Sequence, residues 1–462
     1  VTLLPLFIAT ISDMLGGFGF TFAVFVVVIG IMIFVHELGH FLVAKSLGIR
    51  VDVFSLGFGP RLFGFQRGET DYRISALPLG GYVKMAGENF DESLTGAPDE
   101  FLSRPKWQRF SVAVAGPAMN LVLAFVLGVI IFTSGVLVPK YSTEPAFIGG
   151  IIKDSPAEKA GLQVGDKLVK INNTPVPTWY DASLIIVTSP KQKLRLTIER
   201  GGTRLEKEVV ANGVSTNDAG ASEVGSIGIV PYEPVVVVES VQKDSPAEKA
   251  DLQSGDRIVR AEYQNKVASN SNEIMDLIRQ HPGLPITFTI ERNHELLSKQ
   301  IAPASTSSGG RIGIALGHVT VVEKYGVMAA VGKSIEHNRK ITALVFRFLR
   351  SLITGRASMK NISGPIEIAK VSGEAAREGI KPLLQLMLLI TLQLGIINLL
   401  PIPVLDGGVI FLLLFEGLIR RDLSVAAKEK IQYVGFIFLM LVMGFVIVND
   451  LSKLPIFAKL FK

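Results

Sequence analysis

The residues best equipped for chemistry are His36, Glu37 and His40, a His-Glu-x-x-His motif within the run Phe34-Val35-His36-Glu37-Leu38-Gly39-His40-Phe41. Histidines four apart share one helical face, so both imidazoles can reach one metal ion while Glu37 faces the water bound to it. That is the equipment of a zinc hydrolase. No charged residue occurs across residues 18–35, and the apolar character resumes over residues 41–44 before Lys45. A helix over residues 18–47, rising about 1.5 Å per residue, can cross a hydrocarbon layer roughly 30 Å thick, with His36 and His40 below the lipid surface. Ionisable groups at that depth cost about 2.5–3.5 kcal/mol each. Three of them within five residues need a shared partner, and a cation is the simplest one.

A further ionisable group lies in an apolar region far along the chain, at residues 383–419. There Asn398-Leu399-Leu400-Pro401-Ile402-Pro403-Val404-Leu405-Asp406-Gly407-Gly408 places two prolines and two glycines next to a carboxylate. In lipid such a break is tolerated only where the freed backbone faces protein or a watered cavity. Asp406 as a mere helix cap would not require a carboxylate inside lipid. One span separates this region from the first, so the two run in the same direction and His36, His40 and Asp406 can converge at one depth. Two imidazoles, a carboxylate and a position left for water form the pattern of a catalytic zinc site. Glu37 would take the proton of that water, and the attack would fall on a peptide carbonyl. Asn398 would either hydrogen-bond the substrate backbone or its oxyanion, or join two helices.

The elements that must position these groups follow from composition. The chain has 462 residues, 48% of them apolar, which reads as a membrane protein with an inserted water-soluble part. Its net charge of +6 is spread along the sequence, which suits an anionic membrane surface and not nucleic acid. With no cysteine, a transition metal must be held by nitrogen and oxygen. The first residues lack the basic region of a secretory signal, so an uncleaved first span is expected over residues 1–47; an alternative start or processing would explain Val1.

Residues 48–112 carry Arg50, Arg61, Arg73, Arg104 and Arg109, whereas residues 1–17 carry no Lys or Arg, which puts this loop on the cytoplasmic side and the N-terminus outside. Within it, residues 51–60 and 72–85 alternate with period two around Arg67-Gly68-Glu69. This predicts either an extramembrane hairpin or an edge strand beside the metal that offers backbone hydrogen bonds to an extended peptide. A second span covers residues 113–138, entered through Gly116-Pro117-Ala118-Met119-Asn120. Asn120 is expected to bond between helices or to line a polar cavity.

The block that follows contains a repeat. Asp154-Ser155-Pro156-Ala157-Glu158-Lys159-Ala160-Gly161-Leu162 returns as Asp244-Ser245-Pro246-Ala247-Glu248-Lys249-Ala250-Asp251-Leu252, followed by Gly165-Asp166 and Gly255-Asp256 respectively. Two mostly β modules are expected, at residues 140–230 and 231–317. The repeated segment resembles that of PDZ domains, which bind extended peptide ends by strand addition. Asp251 in place of Gly161 puts the turn of the second copy in question. Residues 318–382, with Arg339, Lys340, Arg347, Arg350 and Arg356 among apolar residues, read as an amphipathic element near the membrane surface. A final span is expected over residues 431–451. The predicted fold is thus a polytopic α-helical membrane protein with four transmembrane helices and two inserted mostly-β domains.

Together, His36-Glu37-x-x-His40 and Asn398-x-x-Pro401-x-Pro403-x-Leu405-Asp406-Gly407 resemble the site-2 protease family of intramembrane metalloproteases, in its sigma-E-regulating form with two tandem PDZ modules. The resemblance implies zinc (Zn2+) held by His36, His40 and Asp406, with Glu37 as catalytic base and Asn398 near the substrate. It also implies a membrane re-entrant β-structure at Gly57-Phe58-Gly59 that meets the substrate, in place of the extramembrane hairpin. The implied substrates are single-pass membrane proteins already trimmed on the outer side, of the anti-sigma factor type, or signal-peptide remnants. The implied setting is the bacterial inner membrane, with periplasmic PDZ modules that exclude bulky ectodomains. Val409, where relatives can carry histidine, is a departure that should not touch the metal. The competing reading is a non-enzymatic PDZ scaffold with a structural zinc site. A transporter is disfavoured because no inverted repeat of spans is visible.

Overall fold

The structure, a computed structural model, describes residues 3–88, 95–215, 223–233, 235–307, 309–354 and 362–452. Arg356 therefore lies outside the described residues. The chain divides into two compact units, one of residues Val1–Gly135, Lys324–Arg350 and Met359–Lys462, the other of Val136–Glu323 with Ser351–Ser358.

The first unit is built of helices α1 (Leu3–Ser46), α2 (Lys106–Ser134), α3 (Val327–Ile353), α4 (Pro365–Glu378), α5 (Ile380–Asn398), α6 (Asp406–Leu418) and α7 (Val425–Ser452), and of strands β1 (Val51–Arg67) and β2 (Thr70–Met85). Among the described residues four helices are long and apolar enough to cross a membrane: Gly16–Ser46, Lys106–Ser134, Ile380–Asn398 and Val425–Ser452. The third apolar region is thus two helices, and the break between them falls at the two prolines. The apolar face of α3 is not left open: Ile341 packs with Ala124 of α2 and Leu392 and Ile396 of α5.

Strands β1 and β2 do not form a plain hairpin. Each bends, β1 near Gly57 and Gly59 with φ of 91° and 86°, so that residues 53–56 pair with residues 81–84 on one side and 71–74 on the other. Residues 63–67 then pair with residues 70–74. The result is a curled sheet of four segments in the order 81–85, 51–56, 70–75, 63–67, in which 81–85 has, among the described residues, a strand partner on one side only. Val51, Phe54, Val83 and Met85 of this sheet share a buried cluster with Ala44 of α1 and Val112 of α2. Phe54 also meets the rings of Phe34 and Phe41 edge-on at 5.8 and 5.3 Å. These contacts pin the sheet beside α1 on both sides of His36.

The second unit contains the repeat. In the first copy Thr174–Pro175, Lys167–Ile171, Lys193–Arg200 and Thr203–Val210 form an antiparallel sheet; in the second, Arg257–Tyr263, Ile286–Arg292 and Glu295–Ile301 pair in the same way. Both copies carry the same bulge, between Leu168 and Lys170 and between Ile258 and Arg260. Each closes on its own apolar core, with Leu168, Ile171 and Ile198 buried in one and Ile258, Phe288 and Ile290 in the other. Burying one such side chain contributes roughly 1.5–3 kcal/mol. Val136–Pro139 pairs antiparallel with Thr320–Glu323, so the unit starts and finishes on one two-stranded ribbon and can be inserted between two spans.

The repeated motif has a structural cause in each part. Ser155 and Ser245 cap short helices by accepting from the amides of Glu158 and Glu248 at 3.3 and 3.2 Å. Asp166 and Asp256 are each 1% exposed and take a bidentate pair, from Arg200 at 2.6 and 2.7 Å and from Arg292 at 2.7 and 2.8 Å. Asp251 leaves the turn intact: its φ of 58° matches the 69° of Gly161. Its carboxylate accepts from Lys299 at 3.1 Å and from Arg292 at 3.2 Å.

Removing Arg292 should therefore strand a buried charge. Arg292→Ala is expected to cost about 3–5 kcal/mol, whereas Arg260→Ala, whose pair with Glu262 is exposed, should cost about 1 kcal/mol or less. Hydrogen exchange over Arg257–Tyr263 in the full chain reads the difference, and equal effects would contradict it. Burial alone would raise the Asp256 carboxyl, but the hydrogen bonds from Arg292 outweigh it and hold the group below the usual range. Its contribution is then complete above the unfolded carboxyl pKa of about 3.9 and is lost as pH falls through the lower folded value. The same exchange signal should hold at pH 5 and rise only in stronger acid, below about pH 4.

Candidate metal centre

His36 and His40 project from the C-terminal quarter of α1 toward α2, and the two helices touch there because the residues between them are small. A Cβ on Gly39 would lie 2.4 Å from the Ala115 carbonyl oxygen, and one on Gly116 would lie 2.2 Å from Nε2 of His40. Any side chain at either place would part the helices or displace the imidazole. The third group arrives from the other end of the chain. Pro401 and Pro403 end α5, Val404 takes a φ of 80°, and α6 starts with Leu405 as its N-cap and Asp406 in the first turn. Asp406 makes no capping bond of its own; its carboxylate lies at the positive end of the α6 dipole and points at the histidines. Gly407 and Gly408 are needed because the loop folds back over them: a Cβ would meet the Leu400 oxygen at 2.0 Å and the Ile402 oxygen at 2.5 Å.

The three donors converge. Nε2 of His36 lies 3.1 Å from Oδ2 of Asp406, Nε2 of His40 lies 3.4 Å from Oδ1, and the two nitrogens lie 3.2 Å apart. The two oxygens belong to one carboxylate; with one ligand atom taken from each residue, the three lie within 4.8 Å of one another, close enough to share one metal ion. Nδ1 of His40 donates to the Val112 carbonyl at 2.8 Å, which leaves Nε2 with a free lone pair. Nδ1 of His36 faces the side-chain amide of Asn120 at 3.2 Å. Among the described residues this is the one group of three or more His, Cys, Asp or Glu that could hold a metal ion. The remaining histidines have other neighbours: His281 bonds the Leu277 carbonyl, His318 pairs with Glu233, His337 packs against Phe132, and His294 is exposed.

The triangle opens on a cavity of about 430 Å³ lined by Glu37, Tyr82, Val83, Asn398, Asp406 and Arg109 among others. That is within the span of roughly 300–1,000 Å³ usual for ligand pockets and admits a short extended segment of peptide. Glu37 lies on the cavity wall next to β2. Gly81 permits this approach, since a Cβ there would come within 3.2 Å of Cγ of Glu37. The free-sided segment 81–85 thus runs past the three donors. Gly57, Phe58 and Gly59 are not among the lining residues; they lie one segment away, joined to the site through Phe58, whose ring stacks on Tyr82 at 6.0 Å. Leu62, Phe63 and Phe65, at the far end of the curled sheet, are exposed.

Sequence reasoning did not find Tyr82 and Val83 as cavity residues, because which segment of the alternating run faces α1 depends on the bends at Gly57 and Gly59. Nor did it find Arg109 and Glu416 at the cavity, where Glu416 is buried and pairs with Lys428 at 2.7 Å. Their charge inside a greasy helix bundle was the available signal.

Residues 24–442 match the model of peptidase family M50. A protein of Neisseria meningitidis serogroup A, provisionally named a zinc metalloprotease, is 33% identical over 94% of this chain and 99% of its own length. The regulator of sigma-E protease RseP of Escherichia coli strain K12 and the regulator of sigma E protease of Salmonella typhi are each 33% identical, over 94% of this chain and 98% of theirs. Among solved structures, a PDZ domain of an SdrC-like protein from Listeria monocytogenes matches 20% of this chain and 92% of its own at 15% identity, with a TM-score of 0.17, which adds nothing to the strand pairing described above. With a match that runs from α1 into α7, the chain belongs to peptidase family M50 and is a zinc metalloprotease of the site-2 protease type.

Proposed function

We propose that the protein hydrolyses peptide bonds inside the transmembrane segments of single-pass membrane proteins, with His36, His40 and Asp406 holding zinc and Glu37 moving the proton. The observation that carries this reading is the placement of three ligand atoms within 4.8 Å of one another, drawn from an apolar helix and from a break in a second apolar region. Zinc held there would polarise a scissile carbonyl and bring the pKa of a water toward about 7. Glu37, on the same cavity wall, accepts the water proton and delivers it to the leaving amine. The Asn398 amide, at the end of α5 and facing the cavity, donates to a substrate carbonyl and holds it for attack. Segment 81–85 pairs with the substrate as an added strand, which keeps the scissile stretch extended.

In the same reading the exposed Leu62, Phe63 and Phe65 enter the lipid as a re-entrant sheet, and Gly57-Phe58-Gly59 orders the segment that meets the substrate. The repeated modules act as PDZ domains on the periplasmic side, where they exclude bulky ectodomains or hold peptide ends. The protein would work in the bacterial inner membrane. Because relatives are named as regulators of sigma-E protease, the substrate class we favour is the anti-sigma factor type, trimmed beforehand on the outer side. Signal-peptide remnants share the same chemistry.

Glu37→Gln should retain the zinc stoichiometry of the wild type and slow cleavage of a transmembrane substrate by about 10²–10⁴-fold. Equal cleavage by the two forms would remove Glu37 from the mechanism. Asp406→Ala should instead lose the metal, read as zinc content of the purified chain, and full retention would exclude Asp406 as a ligand. An intact helix keeps its carbonyls bonded, so a substrate span with central helix breakers should be cut faster than a poly-leucine span of equal length. Matching rates in a reconstituted assay would refute that requirement.

A further inference from the structure

We propose that Asn120 is a positioning residue for the metal centre, one that presents its side-chain oxygen to Nδ1 of His36 and so commits Nε2 of that ring to zinc. The inference rests on the ligand assignment proposed above. It starts from a difference between the two histidines. Nδ1 of His40 faces the Val112 carbonyl, and a carbonyl can only accept, so the backbone alone holds the proton on Nδ1 and the lone pair on Nε2. His36 has no such backbone partner among the described residues. Its Nδ1 faces Asn120, a side chain 0% exposed, at 3.2 Å.

A ring that gives its Nε2 lone pair to a cation must carry its proton on Nδ1, and that proton needs an acceptor. The amide nitrogen cannot accept; the amide oxygen can. The two ends of the amide exchange by a half-turn about its terminal bond, and oxygen and nitrogen are assigned from their neighbours. The amide end that faces away from His36 is buried without a hydrogen-bond partner, so no donor holds the oxygen there. With the oxygen turned to His36 the ring proton has its acceptor and the tautomer is fixed, while the amide nitrogen takes the place that offers no partner. The contact has steric support as well. Asn120 stands one turn beyond Gly116, which meets His40, so a single face of α2 serves both rings. Its own carbonyl accepts from Thr391 of α5 at 3.4 Å, which ties this face of α2 to the helix that carries Asn398.

The role requires an acceptor at position 120 and not an amide as such. A carboxylate can accept the Nδ1 proton as an amide oxygen does, in the carboxylate–histidine–metal arrangement, so aspartate at 120 should be accepted there. The experiment measures zinc affinity of the purified full chain by competition with a chromophoric chelator, alongside the thermal midpoint of the chelator-stripped form. Asn120→Leu, similar in size and without an acceptor, should weaken zinc binding by about 10–100-fold, and Asn120→Asp should stay within a few-fold of wild type. Where Asn120→Leu does not fold, Asn120→Ser, whose hydroxyl is too short to reach Nδ1, should show the same loss. Equal affinity of wild type and the acceptor-free variants would overturn the proposal, as would an Asp variant as weak as Leu. A merely structural Asn120 would lower the thermal midpoint of the stripped form in Leu and Asp variants alike and leave their zinc affinities equal, which also overturns it. A wild-type chain that takes up no zinc would instead bring down the ligand assignment itself.

Discussion

The constraint on which the structure turns is the cost of holding charge in hydrocarbon. His36, Glu37 and His40 lie in a candidate membrane span that carries no other charged residue from 18 to 44, and Asp406 opens a mostly apolar helix; an ionisable group alone in lipid costs about 2.5–3.5 kcal/mol. They become tolerable when they face one another around a cation and not the lipid. Much of the surrounding sequence serves that convergence. Gly39 and Gly116 allow α1 and α2 to touch, Gly81 brings β2 against Glu37, and Gly407 and Gly408 let the Pro401–Pro403 break fold over the start of α6. None of these glycines bears chemistry; each removes a Cβ that would hold two reacting groups apart.

The same constraint explains why the backbone is irregular just where the chemistry is. A helix break in lipid exposes carbonyls that need partners, and it is stable only where they face protein or water. Here the break and segment 81–85 lie on one cavity, which both line. Tethering bonds keep the break in register: Asp450 near the end of α7 accepts from the amides of Gly364, Ile366 and Glu367, capping α4, and Gly435 of α7 packs on Pro403.

The convergence of His36, His40 and Asp406 was legible in the sequence because motif spacing and hydropathy speak to the same few residues: four positions put two imidazoles on one face, and an aspartate beside two prolines in an apolar run has few other uses. The repeat was equally plain, and the bidentate pairs of Asp166 with Arg200 and Asp256 with Arg292 show why Gly-Asp recurs in it. What the residues alone left open was set by contacts between distant segments. The double pairing of residues 53–56 depends on bends at Gly57 and Gly59, which alternation reads as one straight strand. The partner of Asn120 could not be chosen between another helix and a cavity until α1 and α2 were in contact. The turn doubted at Asp251 is kept because a short acidic side chain tolerates a positive φ and here finds Arg292 and Lys299.

The central claim is that two imidazoles from one helix and a carboxylate from a distant break hold a single zinc ion. X-ray absorption at the zinc edge of the purified full-length chain tests it most directly. The expected spectrum has nitrogen and oxygen at about 2.0–2.1 Å with the more distant signature of two imidazoles, and His40→Ala should lose either one imidazole or the ion itself. A spectrum without two imidazoles, or one unchanged by that substitution, would contradict it.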